Sequence, residues 1–295
     1  MALEFFRLAE GLCQLINHNA LFRAQRIRIC RVDSREIMGL QGIGFPLYLY
    51  CIVFPVDFFK QAALIHHLNR HHKKHIITLE DPVEYNIDGV NQVQINEKIG
   101  MTFASGLRSI LRQDPDIIAV GEIRDGETAE IAMRSAITGH VVLSTIHTSD
   151  ALGTIERLTD MGVEPYLVAS ALKGVFSQRL VRRICPHCAQ PYNPSEEEQG
   201  ELGLEYNPER VFYRGKGCPE CFDTGYRGRT AVFEIFPLTI QVRRLIAKGA
   251  GREALESMLS DPAIGFVSLR DNAIRLVEEG KTTGEEVLRV IYEDS

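Results

Sequence analysis

The chain has 295 residues, of which 45% are hydrophobic and 24% are charged, as in an ordinary globular protein with two or three domains. Its formal net charge of −6 argues against a nucleic-acid binder, because phosphate contacts need clustered Lys and Arg. The most apolar run, Ile43–Val56, is broken by two prolines and is shorter than the roughly 20 residues that span a bilayer. Charged residues interrupt the first ten positions, so no signal peptide is predicted.

The first 60 residues give the weakest pattern in the chain. Leu3–Ile16 has the spacing of an amphipathic helix, and a mixture of Gly, Pro and aromatic residues follows it. The glycine cluster Gly39–Gly44 contains no lysine and is predicted to form a turn rather than a phosphate-binding loop.

Three short apolar runs between residues 74 and 148 predict strands: Ile76–Leu79, Ile117–Val120 and Val141–Ile146. The intervals between them fit helices. One helix is expected after Thr102 as its N-cap, and another from about Glu127 to near Gly139. Near-continuous apolar strands joined by helices predict an α/β fold with a parallel sheet covered on both faces.

Polar side chains follow each predicted strand at its carboxyl end: Glu80, Glu122 and His147. Ligands of parallel α/β sheets bind beyond this edge. Paired carboxylates suit phosphoanhydride hydrolysis, which needs a metal ion to neutralise phosphate charge and a group to orient water. His147 could sense a terminal phosphate, although a lone histidine is more often structural. His140 could do the same or be a loop residue.

Two more helices are predicted after Ser149, a candidate N-cap, at about Ala151–Met161 and Pro165–Arg182. A loop-rich region with four cysteines occupies about 184–230. From Val242 onward the spacing of apolar residues is helical again.

The cysteines form two C-x-x-C pairs, which is a strong pattern for a structural Zn²⁺ site bound by four thiolates. The ligands would be Cys185, Cys188, Cys218 and Cys221, with His187 as a possible substitute. The alternative is a set of inert or redox cysteines. Residues 181–230 carry seven Lys or Arg against eight Asp or Glu, so nucleic-acid binding by this module is disfavoured. The basic cluster Arg179–Arg183 is either a solvated helix end or a subunit contact.

Three longer segments carry a resemblance to a known superfamily. Thr78–Glu84 looks like the aspartate box of the secretion ATPases, Leu111–Asp125 like their Walker B segment, and Thr138–Thr148 like their histidine box. Specifically, the chain from about Ala62 to its end resembles the type II secretion and type IV pilus assembly ATPases, the GspE/PilB group. The tetracysteine module also belongs to that branch and is typically missing from pilus retraction ATPases.

The resemblance implies a RecA-like P-loop NTPase core with an inserted zinc module and a helical C-terminal tail. It implies ATP with Mg²⁺ as cofactor, Mg²⁺ held by Glu122, a water polarised by Glu80, and phosphate sensing by His147, His140 and Asp81. It also implies a homo-hexameric cytoplasmic motor, attached peripherally to the inner membrane through a platform protein and cytoplasmic assembly proteins. The predicted domains are a divergent segment 1–60, an ATPase core 61–183, a zinc module 184–230 and a helical domain 231–295.

The phosphate-binding loop G-x-x-x-x-G-K-[ST] occurs nowhere in the sequence. In the register of the family it should fall at Tyr50–Asp57, where Val56 takes the place of the lysine and Asp57 that of the Ser or Thr. We therefore hypothesise that residues 1–60 derive from a frame disruption, a gene fusion or a mis-set start.

The predicted function is that of an ATPase subunit of a type II secretion or type IV pilus assembly system. One alternative is an inactive or truncated remnant of such an ATPase with a structural role only. The other is a zinc-dependent nucleic-acid module, which the acidic balance disfavours.

Overall fold

The computed structural model describes residues 51–55, 58–148, 150–261 and 264–292. The predicted helix Leu3–Ile16, the glycine cluster Gly39–Gly44 and most of segment 1–60 lie outside these residues, as do Val56 and Asp57. The chain divides into two compact units. Of the described residues, the first unit contains 51–177 and 235–266, and the second contains 178–234 and 267–292. The three predicted domain boundaries, after residues 60, 183 and 230, stay predictions.

Strands and helices alternate through the first half of the chain. The strands are β1 (Cys51–Pro55), β2 (Ile76–Glu80), β3 (Asn91–Gln94), β4 (Ile117–Val120), β5 (Val141–Ile146), β6 (Leu172–Ile184), β7 (Ala189–Tyr192), β8 (Phe212–Gly215) and β9 (Tyr226–Pro237). The helices are α1 (Phe58–His71), α2 (Phe103–Ile110), α3 (Gly126–Ile137), α4 (Ala151–Asp160), α5 (Pro165–Ala171), α6 (Glu196–Glu201), α7 (Ile240–Ala247), α8 (Arg252–Leu259), α9 (Leu269–Glu278) and α10 (Gly284–Tyr292).

The main sheet has the strand order β3-β2-β4-β5-β1-β6-β9. Neighbours from β3 to β6 pair in parallel. Every residue of β2, β4 and β5 is buried. This burial agrees with the apolar and β-branched composition of the strands, and it is expected of a parallel sheet that helices cover on both faces. The three strands predicted from apolar runs are confirmed, and so is the predicted parallel sheet flanked by helices.

The strands that carry the predicted site end side by side. Leu79 pairs with Val120, and Val120 pairs with Ser144, so the carboxyl ends of β2, β4 and β5 lie at one edge. Gly121 follows β4 immediately and donates its N–H to the carbonyl oxygen of Leu79 at 2.7 Å. A Cβ at this position would lie 3.1 Å from that same oxygen, so only glycine keeps the strands this close without a shift.

Polar side chains fix the starts of the intervening helices. Thr102 caps α2 through the Ser105 N–H, as predicted, and Asp125 caps α3 through the Thr128 N–H. Helix α4 is capped by Asp150, whose carboxylate accepts from the Gly153 N–H at 2.6 Å. The predicted cap, Ser149, is outside the described residues.

The predicted helix Pro165–Arg182 is wrong beyond Ala171. Helix α5 stops there, and Leu172 begins the thirteen-residue strand β6. The apolar residues of this stretch recur at helical spacing, which explains the error. Its backbone instead pairs in parallel with β1, where Val175 lies opposite Val53, so sheet pairing overrides the local pattern.

The second unit has its own apolar core, formed by residues of β6, β9, α9 and α10 together with Leu202 and Phe212. Strands β7 and β8 form an antiparallel pair within it. The helices predicted after Val242 are confirmed as α7–α10. Among the described residues, no helix is long and apolar enough to cross a membrane.

Candidate functional site

Glu80 is a buried carboxylate at the end of β2. Its side chain is held by two hydrogen bonds that both reach Oε1: one from the Thr78 hydroxyl at 2.5 Å and one from the Gln92 amide at 2.9 Å. Only 3% of the residue is exposed. A buried carboxylate is tolerated when it is hydrogen-bonded, and these two donors also fix its orientation at the edge of the sheet.

Gln92 is a positioning residue that the sequence reasoning missed. Besides its bond to Glu80, its amide group donates to the carbonyl oxygen of Tyr85 at 2.9 Å, and its own oxygen accepts the N–H of Ile87 at 2.7 Å. The side chain therefore ties Glu80 to the loop of the aspartate-box segment. No sequence pattern indicates this role, because it depends on the pairing of β3 with β2, which places Gln92 opposite Thr78.

Glu122 lies two residues beyond β4, with 17% of its side chain exposed. Its Oε1 accepts a hydrogen bond from Arg124 at 2.5 Å, and its Oε2 lies 3.3 Å from Nε2 of His147. Burial would raise the pKa of this carboxyl, but the hydrogen bond and charge of Arg124, joined by His147, outweigh burial and hold the pKa below its ordinary value. The structure thus brings together two of the predicted residues from neighbouring strands.

Arg124 is a second residue that the sequence reasoning did not single out. The hydrogen bond to Glu122 raises its pKa, and the charges of Asp81 and Glu97 act in the same direction. Asp81 itself is exposed and follows β2 directly. Arg124 therefore links the ends of β2 and β4 electrostatically, and its place two residues after Glu122 was a usable signal.

Helix α1 is anchored over the same edge by Gln61, a residue that is only 1% exposed. Its side-chain amide donates to the carbonyl oxygens of Val120, the last residue of β4, at 2.9 Å and of Leu143, in the middle of β5, at 3.0 Å. Helix α1 follows β1 with only Val56 and Asp57 between them, and β1 lies next to β5. This is the position in the sheet where a phosphate-binding loop would join strand and helix.

His140 and His147 lie at opposite ends of β5. His147 follows the strand, and 70% of its side chain is exposed beside Glu122. His140 precedes the strand, roughly 20 Å away at the usual rise per residue. Its Nδ1 lies 3.1 Å from the carbonyl oxygen of Ser135 at the end of α3. The structure does not bring His140 to the carboxylates, and its predicted role in phosphate sensing stays a prediction.

The four predicted metal ligands converge in the second unit. The sulfur atoms of Cys185, Cys188, Cys218 and Cys221 all lie within 4.8 Å of one another. The sulfur of Cys218 lies 3.6 Å from that of Cys221 and 3.8 Å from that of Cys185. A tetrahedral ion with metal–sulfur distances of about 2.3 Å would separate its ligands by about 3.8 Å. The cysteines are therefore placed to bind a metal ion.

The local backbone favours the thiolate form of one of these ligands. The N–H groups of Cys218 and Gly225 each lie 3.3 Å from the sulfur of Cys221. Burial alone would raise the pKa of the Cys221 thiol, but these donors together hold it below its ordinary value. Backbone N–H groups aimed at sulfur are a common outer shell of thiolate metal sites.

The comparison with known families decides which family the chain belongs to. The profile of the family described as "Type II/IV secretion system protein" matches residues 61–289. The chain belongs to this family. The resemblance drawn from the three boxes is thereby confirmed.

Two relatives illustrate the range of the family. The type II secretion system protein E of Klebsiella pneumoniae is 45% identical over 260 residues, 87% of this chain and 50% of that protein. The type IV pilus assembly ATPase PilB of Myxococcus xanthus is 47% identical over 217 residues, 72% of this chain and 38% of that protein. The chain thus spans at most half the length of these relatives.

The Klebsiella match also extends beyond the expected start of the resemblance. A match that covers 87% of a 295-residue chain has to include residues before Gln61. The alignment with this relative therefore extends to residues before Gln61, whereas the family match begins at residue 61.

A solved structure shows the same fold. The pilus retraction motor PilT with bound ADP superimposes with a TM-score of 0.61 at 26% identity, over 87% of this chain and 66% of that chain. This likeness supports the predicted fold class, a nucleotide-hydrolase core built on a parallel sheet flanked by helices.

The one Gly-Lys-Thr tripeptide of the sequence, Gly280–Thr282, is not a hidden phosphate-binding loop. It joins α9 to α10 rather than a strand to a helix, and the Lys281 ammonium is paired with Glu279 at 2.5 Å. The Thr282 hydroxyl donates to the carbonyl oxygen of Arg182 at 2.8 Å. This tripeptide therefore serves the packing of the second unit.

Proposed function

We propose that this chain is the ATP-hydrolysing part of a type II secretion or type IV pilus assembly motor. The observation that carries the proposal is the convergence of Glu80, Glu122 and His147 at the carboxyl edge of β2, β4 and β5. Glu80 is held by neutral donors, and the pKa of Glu122 is held below its ordinary value chiefly by Arg124. Two carboxylates with different surroundings at one sheet edge suit a division between holding metal and orienting water.

The proposed roles follow from these surroundings. Glu122 would hold Mg²⁺ directly or through water, since its carboxylate is partly exposed and ionised. Glu80 would polarise the attacking water, because two hydrogen bonds to one oxygen fix its orientation. His147, exposed beside Glu122, would contact the terminal phosphate and respond to its loss. Asp81, which follows β2 directly, would assist in phosphate sensing. Bound Mg²⁺ would supply charge neutralisation for the phosphates.

The cysteine cluster supports a further part of the proposal. Four thiolates at tetrahedral spacing fit Zn²⁺, and a site closed by four protein ligands has no open position for catalysis. The ion would therefore stabilise the second unit, whose two C-x-x-C pairs lie 33 residues apart in sequence.

The remaining parts of the proposal come from the family. The chain would act in a homo-hexamer at the cytoplasmic side of the inner membrane, attached through a platform protein and cytoplasmic assembly proteins. Hydrolysis would be coupled to assembly of a pilus or pseudopilus and, in secretion systems, to protein export. The type II secretion and pilus assembly relatives support both versions equally.

A second candidate function is that of a subunit that does not hydrolyse ATP and acts through its structure alone. It is favoured by one specific observation: β1 and α1 are separated by two residues, and no G-x-x-x-x-G-K-[ST] segment exists in the sequence. Without the lysine and the cradle of backbone N–H groups, the phosphates would lose most of their usual partners.

Steady-state ATP hydrolysis by the complete chain in the presence of Mg²⁺ distinguishes the two candidates. A motor should show turnover that falls about 100-fold or more in Glu122→Gln and in Glu80→Gln. The matched control is Glu130→Gln, an exposed carboxylate of α3 paired with Arg134, which should leave turnover unchanged. Turnover that is absent in the wild type, or equal in all variants, would favour the structural role.

A further inference from the structure

Histidines are concentrated at the end of α1, away from the proposed site. Five of the nine histidines in the sequence fall between His66 and His75, at the last turns of α1 and in the segment that leads to β2. Helix α1 is anchored near the carboxyl edge of the sheet by Gln61, so its other end lies toward the opposite edge. The proposed hydrolysis mechanism uses none of these histidines.

Two of these side chains face each other. His67 and His71 are four residues apart, one helical turn, so they lie on the same face of α1. Their ring centroids are 4.5 Å apart and the rings are tilted by 44°. His71 is exposed, whereas His67 is half-buried. The pair is therefore accessible from solvent on one side and fixed by packing on the other.

The spacing of the pair is one that allows two histidines of a helix to bind the same metal ion. Two imidazoles one turn apart on a helix can direct a nitrogen each at one ion, at metal–nitrogen distances of about 2.1 Å. Metal ions bind the neutral ring.

We propose that His67 and His71 form a second metal site, which binds one divalent transition-metal ion with water completing its coordination. Imidazole ligands select Cu²⁺, Ni²⁺ and Zn²⁺ over Mg²⁺ and Ca²⁺. The site is chemically distinct from the carboxylate edge of the sheet, which suits Mg²⁺, and from the thiolate cluster, which is closed. A bound ion would bridge the last two turns of α1 and stabilise that end of the helix.

Charged neighbours set limits on the affinity. Arg70, Lys73 and Lys74 lie in the same segment and oppose a cation, although the Lys74 ammonium is neutralised by Asp116 at 2.7 Å. A two-ligand site with basic neighbours should bind weakly enough to exchange its ion readily. It should therefore respond to the concentration of free metal rather than retain an ion permanently.

The test uses the complete chain without a histidine tag, first loaded with one equivalent of Zn²⁺ to fill the cysteine cluster. Ni²⁺ is then titrated by calorimetry while protein-bound zinc is quantified to exclude displacement. We expect one Ni²⁺ per chain. His71→Gln and His67→Gln should each weaken binding at least about tenfold, because each removes one of two ligands. His71 is exposed, so its replacement leaves folding unaffected.

The neighbouring His72→Gln serves as the matched control and should leave Ni²⁺ affinity unchanged. Zn²⁺ in place of Ni²⁺ should shift the imidazole nitrogen resonances of His67 and His71 and leave those of His72 in place. The proposal is overturned if no Ni²⁺ binds, if His71→Gln binds as well as the wild type, or if only His72→Gln loses binding.

Discussion

Gln61 offers a direct test of how the first helix is fixed over the carboxyl edge of the sheet. Its amide donates to the carbonyl oxygens of Val120 and Leu143, and the residue is 1% exposed. Replacement by Met keeps nearly the same volume but removes both donors. Each lost hydrogen bond costs about 1 kcal/mol, and a buried carbonyl left without this partner can cost more, so we expect Gln61→Met to destabilise the protein by about 2–4 kcal/mol.

The assay is guanidinium unfolding followed by circular dichroism, with Asn69→Leu as the matched control on the same helix. The Asn69 amide makes one bond, to the carbonyl oxygen of Asp88 at 2.7 Å, in exposed surroundings. Its loss should cost less than about 1 kcal/mol, because water can replace the donor. If Gln61→Met is no less stable than Asn69→Leu, helix α1 is not anchored over β4 and β5 as described.

Three further predictions concern the two sites. Arg124→Gln should raise the pKa of Glu122, since burial then acts with less opposition. In the wild type the lowered pKa of Glu122 contributes stability above about pH 4.5 that is lost as the pH falls through the folded-state pKa. The unfolding free energy, measured between about pH 3 and pH 7, should therefore decrease less toward acid pH in the variant than in the wild type. The same pH dependence in both proteins would contradict the pairing of Arg124 with Glu122. Gln92→Leu removes three hydrogen bonds and should lower the unfolding free energy by about 2–4 kcal/mol. If the variant is as stable as the wild type, the Gln92 side chain does not hold Glu80 and the segment that follows it in place. Cys188→Ser should abolish stoichiometric zinc, and a chelator should lower the melting temperature of the wild type but not of the variant; full zinc occupancy in Cys188→Ser would refute the four-thiolate site.

The sequence predicted the strands that build the site because each is a short apolar run followed at once by polar residues. The runs at Ile76–Leu79, Ile117–Val120 and Val141–Ile146 are buried on both faces, and their short length and β-branched residues distinguish them from buried helix segments. Strand β6 was mistaken for a helix because its apolar residues recur at spacings of three and four. Its conformation depends on pairing with β1, and no local pattern records that partner.

The candidate site was predictable in its acidic residues and in the cysteine cluster, but not in its supporting contacts. Glu80 and Glu122 end predicted strands, and parallel strands end at a common edge. Gln61 and Gln92 contact residues of other strands, so these partners depend on how the strands pair. Arg124 instead pairs with Glu122, two residues earlier in the sequence. The two histidines of Thr138–Thr148 illustrate the same limit: they are seven residues apart in one box and lie at opposite ends of β5.

The central claim is that the carboxyl edge of β2, β4 and β5 binds a magnesium nucleotide for hydrolysis. Equilibrium binding of a fluorescent ATP analogue to the complete chain, with Mg²⁺ and with a chelator in its place, tests this claim most directly. The account predicts saturable binding that weakens when Mg²⁺ is withdrawn and loses this Mg²⁺ dependence in Glu122→Gln. Binding that is undetectable, or the same with and without Mg²⁺ in the wild type, would contradict it.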